Sequence, residues 1–492
     1  MSLRQKTFSA VRWTTFDALG KALLTIASLS VLARILAPED YGLMAIVTVI
    51  LGFAGLFADI GINAAFVQRK DVTDEQRASL FWLNVFVSIV LALIVVGLSP
   101  IIAELYGEPR LAILISVSAS VFILRALGQQ VRMAAEKELK FRAVVTLELA
   151  AAFIGFFVAV LAALAGWGVL ALVLSGVTAA AFSTLFFWLF ISAGWRPALY
   201  LRVSDIRSLL RFGGALTADA IVNYINRTVD VFLGGKLLDA AALGTYSVPR
   251  TIALQLGRMI NAVITRVGFP LIAKVQDDVD LVRSIYLQTL RMTAATNAPL
   301  YIGLAFFAQD LVHVILGPGW ERSGALLQIL ALWGGIRSTG NPVGSLLFGM
   351  GRADLSLKWN LGLLLILPPT IWYGAKFGPE GMAWALLIAQ LTLFFPMWFL
   401  LVRPVCRAKL FEYSSAALSP FLFSLVAIAP GFLIASQFDG ALLRLLVGAA
   451  ISGLLYLLIS YYVNRAWVSA MLELLGRPEI MSNDRPPDPT QR

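Results

Sequence analysis

The sequence predicts an all-α polytopic membrane protein of about fourteen transmembrane helices: two parallel six-helix bundles plus two appended helices. Three observations carry that prediction. The 492 residues are 59% hydrophobic and only 14% charged, with a mean hydropathy of +0.82, whereas a soluble globule averages about 45–50% apolar and about 25% charged. Apolar runs of about 20 residues, each long enough to cross about 30 Å of hydrocarbon, recur from end to end. Polar motifs inside those runs recur at a near-constant offset, which marks two related halves. A transmembrane barrel would instead show alternating segments of about 10 residues.

Taken in order, the first span (14–36) opens on a stripe of Asp17, Lys21, Thr25 and Ser28 and stops at Ala37-Pro38-Glu39-Asp40. The second (41–66) carries Asp59 and Asn63 on one face. The third and fourth (80–103 and 111–131) are parted by Gly107-Glu108-Pro109, and the fourth ends with the i, i+4 pair Arg125 and Gln129. Gly166-Trp167-Gly168 turns the fifth (143–165) into the sixth (168–192), as glycines do where a chain must reverse. Trp195 to Arg211 alternates apolar and basic residues, with Ser204-Asp205 as a start signal, and reads as an interfacial linker helix.

The seventh span (212–235) stacks Asp219, Asn223, Asn226, Arg227 and Asp230 on one face, at i, i+4, i+7, i+8 and i+11. The eighth (242–265) does the same with Arg250, Arg258, Asn261 and Thr265. After the ninth (291–309), the tenth (323–348) holds Arg337 and Asn341. The eleventh and twelfth (358–376 and 380–402) meet at Gly378-Pro379-Glu380-Gly381. The last two (414–437 and 441–463) have almost nothing ionisable in their cores. The tail beyond Leu475 is proline-rich and reads as disordered.

The net charge of +10 is topological in origin. Lys and Arg fall on alternate loops, 27 on one side against 6 on the other, a positive-inside bias that places both termini in the cytoplasm. No small-residue cleavage site follows the first span, so it reads as retained. The single Cys406 rules out an intramolecular disulfide, and the single His313 has no companion for a zinc site. No phosphate-cradling loop, nucleophile elbow or His-Glu-x-x-His motif is present. The chain therefore does not read as an enzyme, and nothing in it asks for a cofactor.

The repeat is explicit. At an offset of 202, Asp17 matches Asp219, Arg34 matches Lys236, Gly42 matches Gly244, Gly55 matches Gly257 and Asp59 matches Asn261. At 212, Arg125-Ala-Leu-Gly128-Gln129 matches Arg337-Ser-Thr-Gly340-Asn341; at 213, Gly168-Val-Leu-Ala-Leu matches Gly381-Met-Ala-Trp-Ala. Six spans per half make the repeats parallel. The expected domains are 1–200, 201–405, the appended pair within 406–465, and a tail from 466 to 492.

A charge within the bilayer costs about 2.5–3.5 kcal/mol on insertion scales, so it usually faces a cavity or a partner. The deep basic residues Lys21, Arg125, Arg227, Arg250, Arg258 and Arg337 outnumber the acids Asp17, Asp59, Asp219 and Asp230 by six to four. That surplus points to an anionic substrate, and the planar fork of Arg suits phosphate. Structural ion pairs, such as Asp17 with Lys21 or Arg227 with Asp230, remain the alternative for any single residue. Tyr224, Tyr246 and Trp333 lie near the polar faces and are candidates for stacking on sugar rings. The four aspartates are candidates for ion coupling.

Leu32-Ala33-Arg34-Ile35-Leu36-Ala37-Pro38-Glu39-Asp40-Tyr41-Gly42 is the most distinctive stretch. With Asp59-Ile-Gly61…Val67-Gln68-Arg69, Leu210-Arg211-Phe212-Gly213 and Asn226-Arg227…Asp230, it resembles the Wzx-type polysaccharide flippases of the multidrug/oligosaccharidyl-lipid/polysaccharide superfamily, in the branch of colanic-acid and succinoglycan exporters. The resemblance covers about residues 1–465. It implies a MATE-like, V-shaped pair of bundles that alternates access and moves a polyprenyl-pyrophosphate-linked oligosaccharide across the inner membrane for exopolysaccharide or O-antigen synthesis. A polysaccharide polymerase and co-polymerase are the implied partners.

The expected substrate-binding residues are Lys21, Arg34, Arg125, Arg227, Arg250, Arg258, Arg337, Asn226 and Asn341. A lipid II flippase and a multidrug or cation antiporter are the alternatives on the same fold, although an antiporter for cations would want an acidic cavity. A membrane-embedded glycosyltransferase would need a long outer loop, which the spans leave no room for.

Overall fold

In a computed structural model the backbone is described for residues 3–58, 73–465 and 467–469, and the side chains of these apart from 3–11, 203–219 and 259–267. Asp59, Asn63 and the tail from 470 lie outside the described residues, as do the side chains of Asp219, Asn261 and Thr265.

Every described element is helical. The first six helices are α1 (Leu3–Leu32), α2 (Pro38–Ala58), α3 (Asp74–Tyr106), α4 (Arg110–Lys137), α5 (Phe141–Leu164) and α6 (Val169–Phe186), the last prolonged by a π turn over Phe187–Ile191. Then come α7 (Val203–Leu237), α8 (Ala240–Lys274), α9 (Val279–Phe306), α10 (Ala308–Ile315), α11 (Glu321–Thr339) and α12 (Pro342–Gly349). α13 (Ala353–Ala375) and α14 (Gly378–Thr392) follow, α14 continuing through short helical pieces to Cys406, and α15 (Leu410–Ala435) and α16 (Ala441–Val463) complete the chain. The ends obey local chemistry. Thr73 and Gln76 exchange a reciprocal capping box that opens α3, at 3.2 and 3.3 Å, and Gly107 at φ 69° closes it.

Nine described helices are long and apolar enough to cross a membrane, or ten if α9 and α10, bent by 75° at their junction, count as one broken span. Where they are described, the fourteen expected spans fall on helix; the ninth is the bent pair, and the seventh, eighth, tenth and eleventh are among neither the nine nor the ten. Three of these four carry the polar stripes, and the eleventh holds Lys358 and Asn360. Polar residues on a helix face lower its apolarity, so these helices need a protein or cavity neighbour.

Two local expectations are corrected. The expected linker from Trp195 to Arg211 is not a separate helix: Trp195–Arg202 are not helical, and Val203–Arg211 are the first turns of α7, which runs unbroken to Leu237. Arg337 and Asn341 do not share a continuous helix: α11 ends at Thr339 and α12 starts at Pro342. Proline lacks the amide that would extend α11 but suits the first turn of α12.

The chain packs as two compact units. One comprises Met1–Gln255, Val312–Leu326 and Asp354–Ala389; the other Leu256–Leu311, Leu327–Ala353 and Gln390–Arg492. This division groups residues by packing, whereas the sequence halves group them by repeat.

Within the first unit, repeat-related residues meet one another reciprocally. α2 and α8 cross at their first turns so closely that a Cβ on Gly42 would lie 1.8 Å from the Ala240 carbonyl oxygen, and one on Gly244 1.7 Å from that of Pro38. Pro38 and Ala240 stand 202 apart, as do the two glycines. Arg34 donates to the Val314 carbonyl at 2.8 Å, and its counterpart Lys236 donates to that of Leu105. Both acceptors lie in the last turn of a helix, where cations complement unpaired carbonyls. Arg34 therefore serves a helix end.

The crossing yields a prediction. Gly42→Ala and Gly244→Ala place a methyl inside the van der Waals radius of a backbone oxygen, and overpacking of this kind costs about 1–3 kcal/mol or more. Each should lower the melting temperature and the yield of monodisperse protein, while Gly97→Ala, which meets nothing within 4 Å, should melt with wild type. A Gly42→Ala protein as stable as wild type would contradict the contact.

In the second unit α15 and α16 pack on α9 and α10. Tyr456 donates to the Ala295 carbonyl at 2.6 Å, Arg444 Nε donates to Asp310 at 2.9 Å, and Gly448 leaves room for the Phe307 ring.

Candidate functional site: a charged cavity in the first unit

A cavity of about 530 Å³ lies among α1 to α6, toward the end of these helices that carries the basic turn Lys137–Lys140. Its polar lining includes Lys21, Asn84, Arg125, Gln129, Arg132 and Glu148. Small residues admit the close packing around it. A Cβ at Gly128 would sit 2.8 Å from Thr184 Oγ1, so only glycine lets α6 approach α4 there. Thr184 then donates to the Leu124 carbonyl at 2.6 Å and Trp188 Nε1 to that of Leu127 at 2.9 Å. Anchors on either side of Arg125 thus fix its position on α4.

Glu148, from α5, holds the centre of the charge network. Its Oε2 accepts from Lys21 at 2.6 Å and its Oε1 from Arg132 Nε at 2.7 Å. Each cation also has an acid on its own helix, one turn away: Lys21 pairs with Asp17 at 2.9 Å and Arg132 with Glu136 at 3.0 Å. Arg125 lines the same cavity, is exposed to it, and makes no hydrogen bond or ion pair with any described residue. Its guanidinium has five donors and no acceptor of its own, and all of them are available to an incoming anion.

The remaining expected residues are placed elsewhere. Arg250 grips Asp230 with both forks of its guanidinium (Nη2 to Oδ1 at 2.9 Å), Tyr246 donates to the same carboxylate at 2.7 Å, and Arg250 also caps the Arg227 carbonyl. Asp230 and Arg250 are only 3% and 9% exposed, which is the geometry of a structural ion pair, the alternative that the sequence left open. Its partners are Asp230 and Arg250 rather than Asp230 and Arg227, whose side chain is exposed. Asn226 donates to the Asn360 carbonyl at 2.7 Å.

Arg258, Arg337 and Asn341 belong to the second unit, where the Arg337 guanidinium lies 5.1 Å from the Trp333 ring centroid. Tyr246 and Trp333 are 0% and 2% exposed, so neither offers a face to a sugar. The Tyr224 hydroxyl is spent on the Val49 carbonyl at 2.8 Å.

Sequence reasoning missed Glu148 and Glu136 and assigned Arg132 to a loop. The signal was present: Glu148 interrupts Val144-Val-Thr-Leu-Glu-Leu-Ala150 in the fifth span, and an ionisable residue within a span is a functional hypothesis by default. Counting these residues narrows the basic surplus. Lys21, Arg132 and Arg250 are held in ion pairs, and Arg125 is the cation that faces this cavity without a partner among the described residues.

A polytopic helical membrane protein with a charged, open cavity among its spans has the constitution of a transporter. The chain belongs to the polysaccharide biosynthesis protein family, whose model matches residues 31–325. Over 443 residues it is 31% identical to the lipopolysaccharide biosynthesis protein WzxC of Escherichia coli (strain K12), covering 90% of each chain. It is 24% identical to the succinoglycan biosynthesis transport protein ExoT of Rhizobium meliloti (strain 1021), covering 94% of each. Its fold is similar to that of the lipid II flippase MurJ in an inward closed conformation, with a TM-score of 0.70 at 15% identity over 96% of this chain and 100% of that one.

Proposed function

We propose that the protein is an inner-membrane flippase that moves a polyprenyl-pyrophosphate-linked oligosaccharide repeat unit to the periplasmic leaflet by alternating access, for exopolysaccharide or O-antigen synthesis. The observation that carries this reading is Arg125, a guanidinium without a described partner in a cavity among the spans of a polysaccharide biosynthesis family member. Lys21, Arg125 and Arg132 converge on the cavity, and Arg gives the bidentate contact that suits phosphate oxygens. The lipid tail stays in the bilayer and the glycan follows the pyrophosphate. The positive-inside bias supports cytoplasmic termini. The sequence repeat supports two six-helix halves, 1–200 and 201–405, exchanging access, and a polymerase and co-polymerase would receive the product.

Deletion of the gene tests the reading. The expected result is a viable cell without its surface polysaccharide, accumulating lipid-linked repeat units and restored by the full chain. Lethality with arrested peptidoglycan synthesis would instead support a lipid II flippase, the alternative favoured by the MurJ-like fold.

A further inference from the structure

We infer that Glu148 is the resident counter-anion of the cavity and that the substrate's pyrophosphate takes its place on Lys21 and Arg132. This rests on the proposed function. The three carboxylates of the network are not equivalent. Asp17 and Glu136 hold their cations one helical turn away on the same helix, α1 and α4 respectively. They move with those cations whatever the helices do. Glu148 reaches in from α5 and divides its two oxygens between Lys21 of α1 and Arg132 of α4. It is the acid that can let go of both without disturbing a helix, and it lines the cavity where an anion would arrive.

The charge balance makes the exchange necessary. With Glu148 in place, Lys21 and Arg132 are each satisfied twice, and the cavity presents Arg125 alone. An anion recruited by Arg125 gains the other two cations only by displacing Glu148. The pyrophosphate then joins α1 to α4 as the carboxylate did. When the substrate leaves, Glu148 closes the network again, so that with Asp17 and Glu136 it balances Lys21, Arg125 and Arg132 and the empty carrier holds no net positive charge in a low-dielectric interior. Glu148 thus acts through Lys21 and Arg132 as a positioning residue that sets how tightly the anion is held.

The test uses the purified full-length protein in nanodiscs, with geranylgeranyl pyrophosphate as probe and geranylgeraniol as its uncharged control. Glu148→Gln preserves shape and removes the competing charge. It should bind the pyrophosphate about tenfold more tightly than wild type, the scale of one close charge interaction, with no change toward the alcohol. Glu148→Asp keeps the charge and should remain near wild type, which guards against a merely structural effect, and thermal melts of both variants confirm folding. Arg125→Gln should bind far more weakly. If Arg125→Gln loses binding while Glu148→Gln equals wild type or falls below it, the counter-anion inference is wrong and the anion site stands. If wild type binds the pyrophosphate no better than the alcohol, and Arg125→Gln changes nothing, the anion-site reading itself fails.

Discussion

Arg125→Ala should cut polysaccharide export by roughly 10- to 100-fold while leaving the amount of membrane-inserted protein unchanged. The magnitude follows from one hydrogen-bonded charge contact, about 1.5–3 kcal/mol. The separation of the two readouts follows from the structure. Arg125 has no ion pair or hydrogen bond with a described residue, so its removal leaves no buried partner unsatisfied. Arg125→Lys keeps the charge but loses the planar fork, and should restore export only in part. Quantifying surface polysaccharide beside an immunoblot of the membrane fraction checks both halves. Normal export by the alanine variant would remove Arg125 from the substrate path, and loss of the protein would make it a structural residue.

Arg250→Met should have the opposite signature. It leaves the carboxylate of Asp230, 3% exposed, with only the Tyr246 hydroxyl. Breaking a buried pair from one side costs about 3–5 kcal/mol, enough to deplete folded protein. Asp230→Asn/Arg250→Met removes both charges and should recover most of the thermal stability lost by the single variant. Export by that double variant then decides whether Asp230 has a coupling role. Near-normal export would confine the pair to structure, and stable protein without export would return Asp230 to the transport cycle.

The fold was legible in the sequence because its determinants are coarse: apolar length, turn residues and a repeat. The offset of 202 that linked Gly42 to Gly244 also relates the carbonyls that they meet, those of Ala240 and Pro38, and the equivalent cations Arg34 and Lys236 each donate to the end of a helix in the first unit. The position of Arg125 was legible too, as a charge inside an apolar run. Its neighbours were not. Glu148 lies 23 residues along the chain and Lys21 more than 100 residues back, so only packing of α1, α4 and α5 brings them together. Arg250 and Asp230 share one span's depth on adjacent helices, and periodicity could place each on a polar face without saying that they face one another. The break between α11 and α12 was written in Gly340-Asn341-Pro342, but an i, i+4 spacing across it looked like one helix.

The central claim is that the cavity recognises the pyrophosphate of a lipid-linked oligosaccharide. Its most direct measurement is leaflet exchange in proteoliposomes holding the full-length protein and a fluorescent polyprenyl-pyrophosphate oligosaccharide, with the same glycan on an uncharged polyprenyl ether alongside. Rapid protein-dependent exchange of the pyrophosphate-linked lipid, lost in Arg125→Ala and absent for the neutral lipid, is the predicted result. Equal movement of both lipids, unaffected by Arg125→Ala, would contradict it.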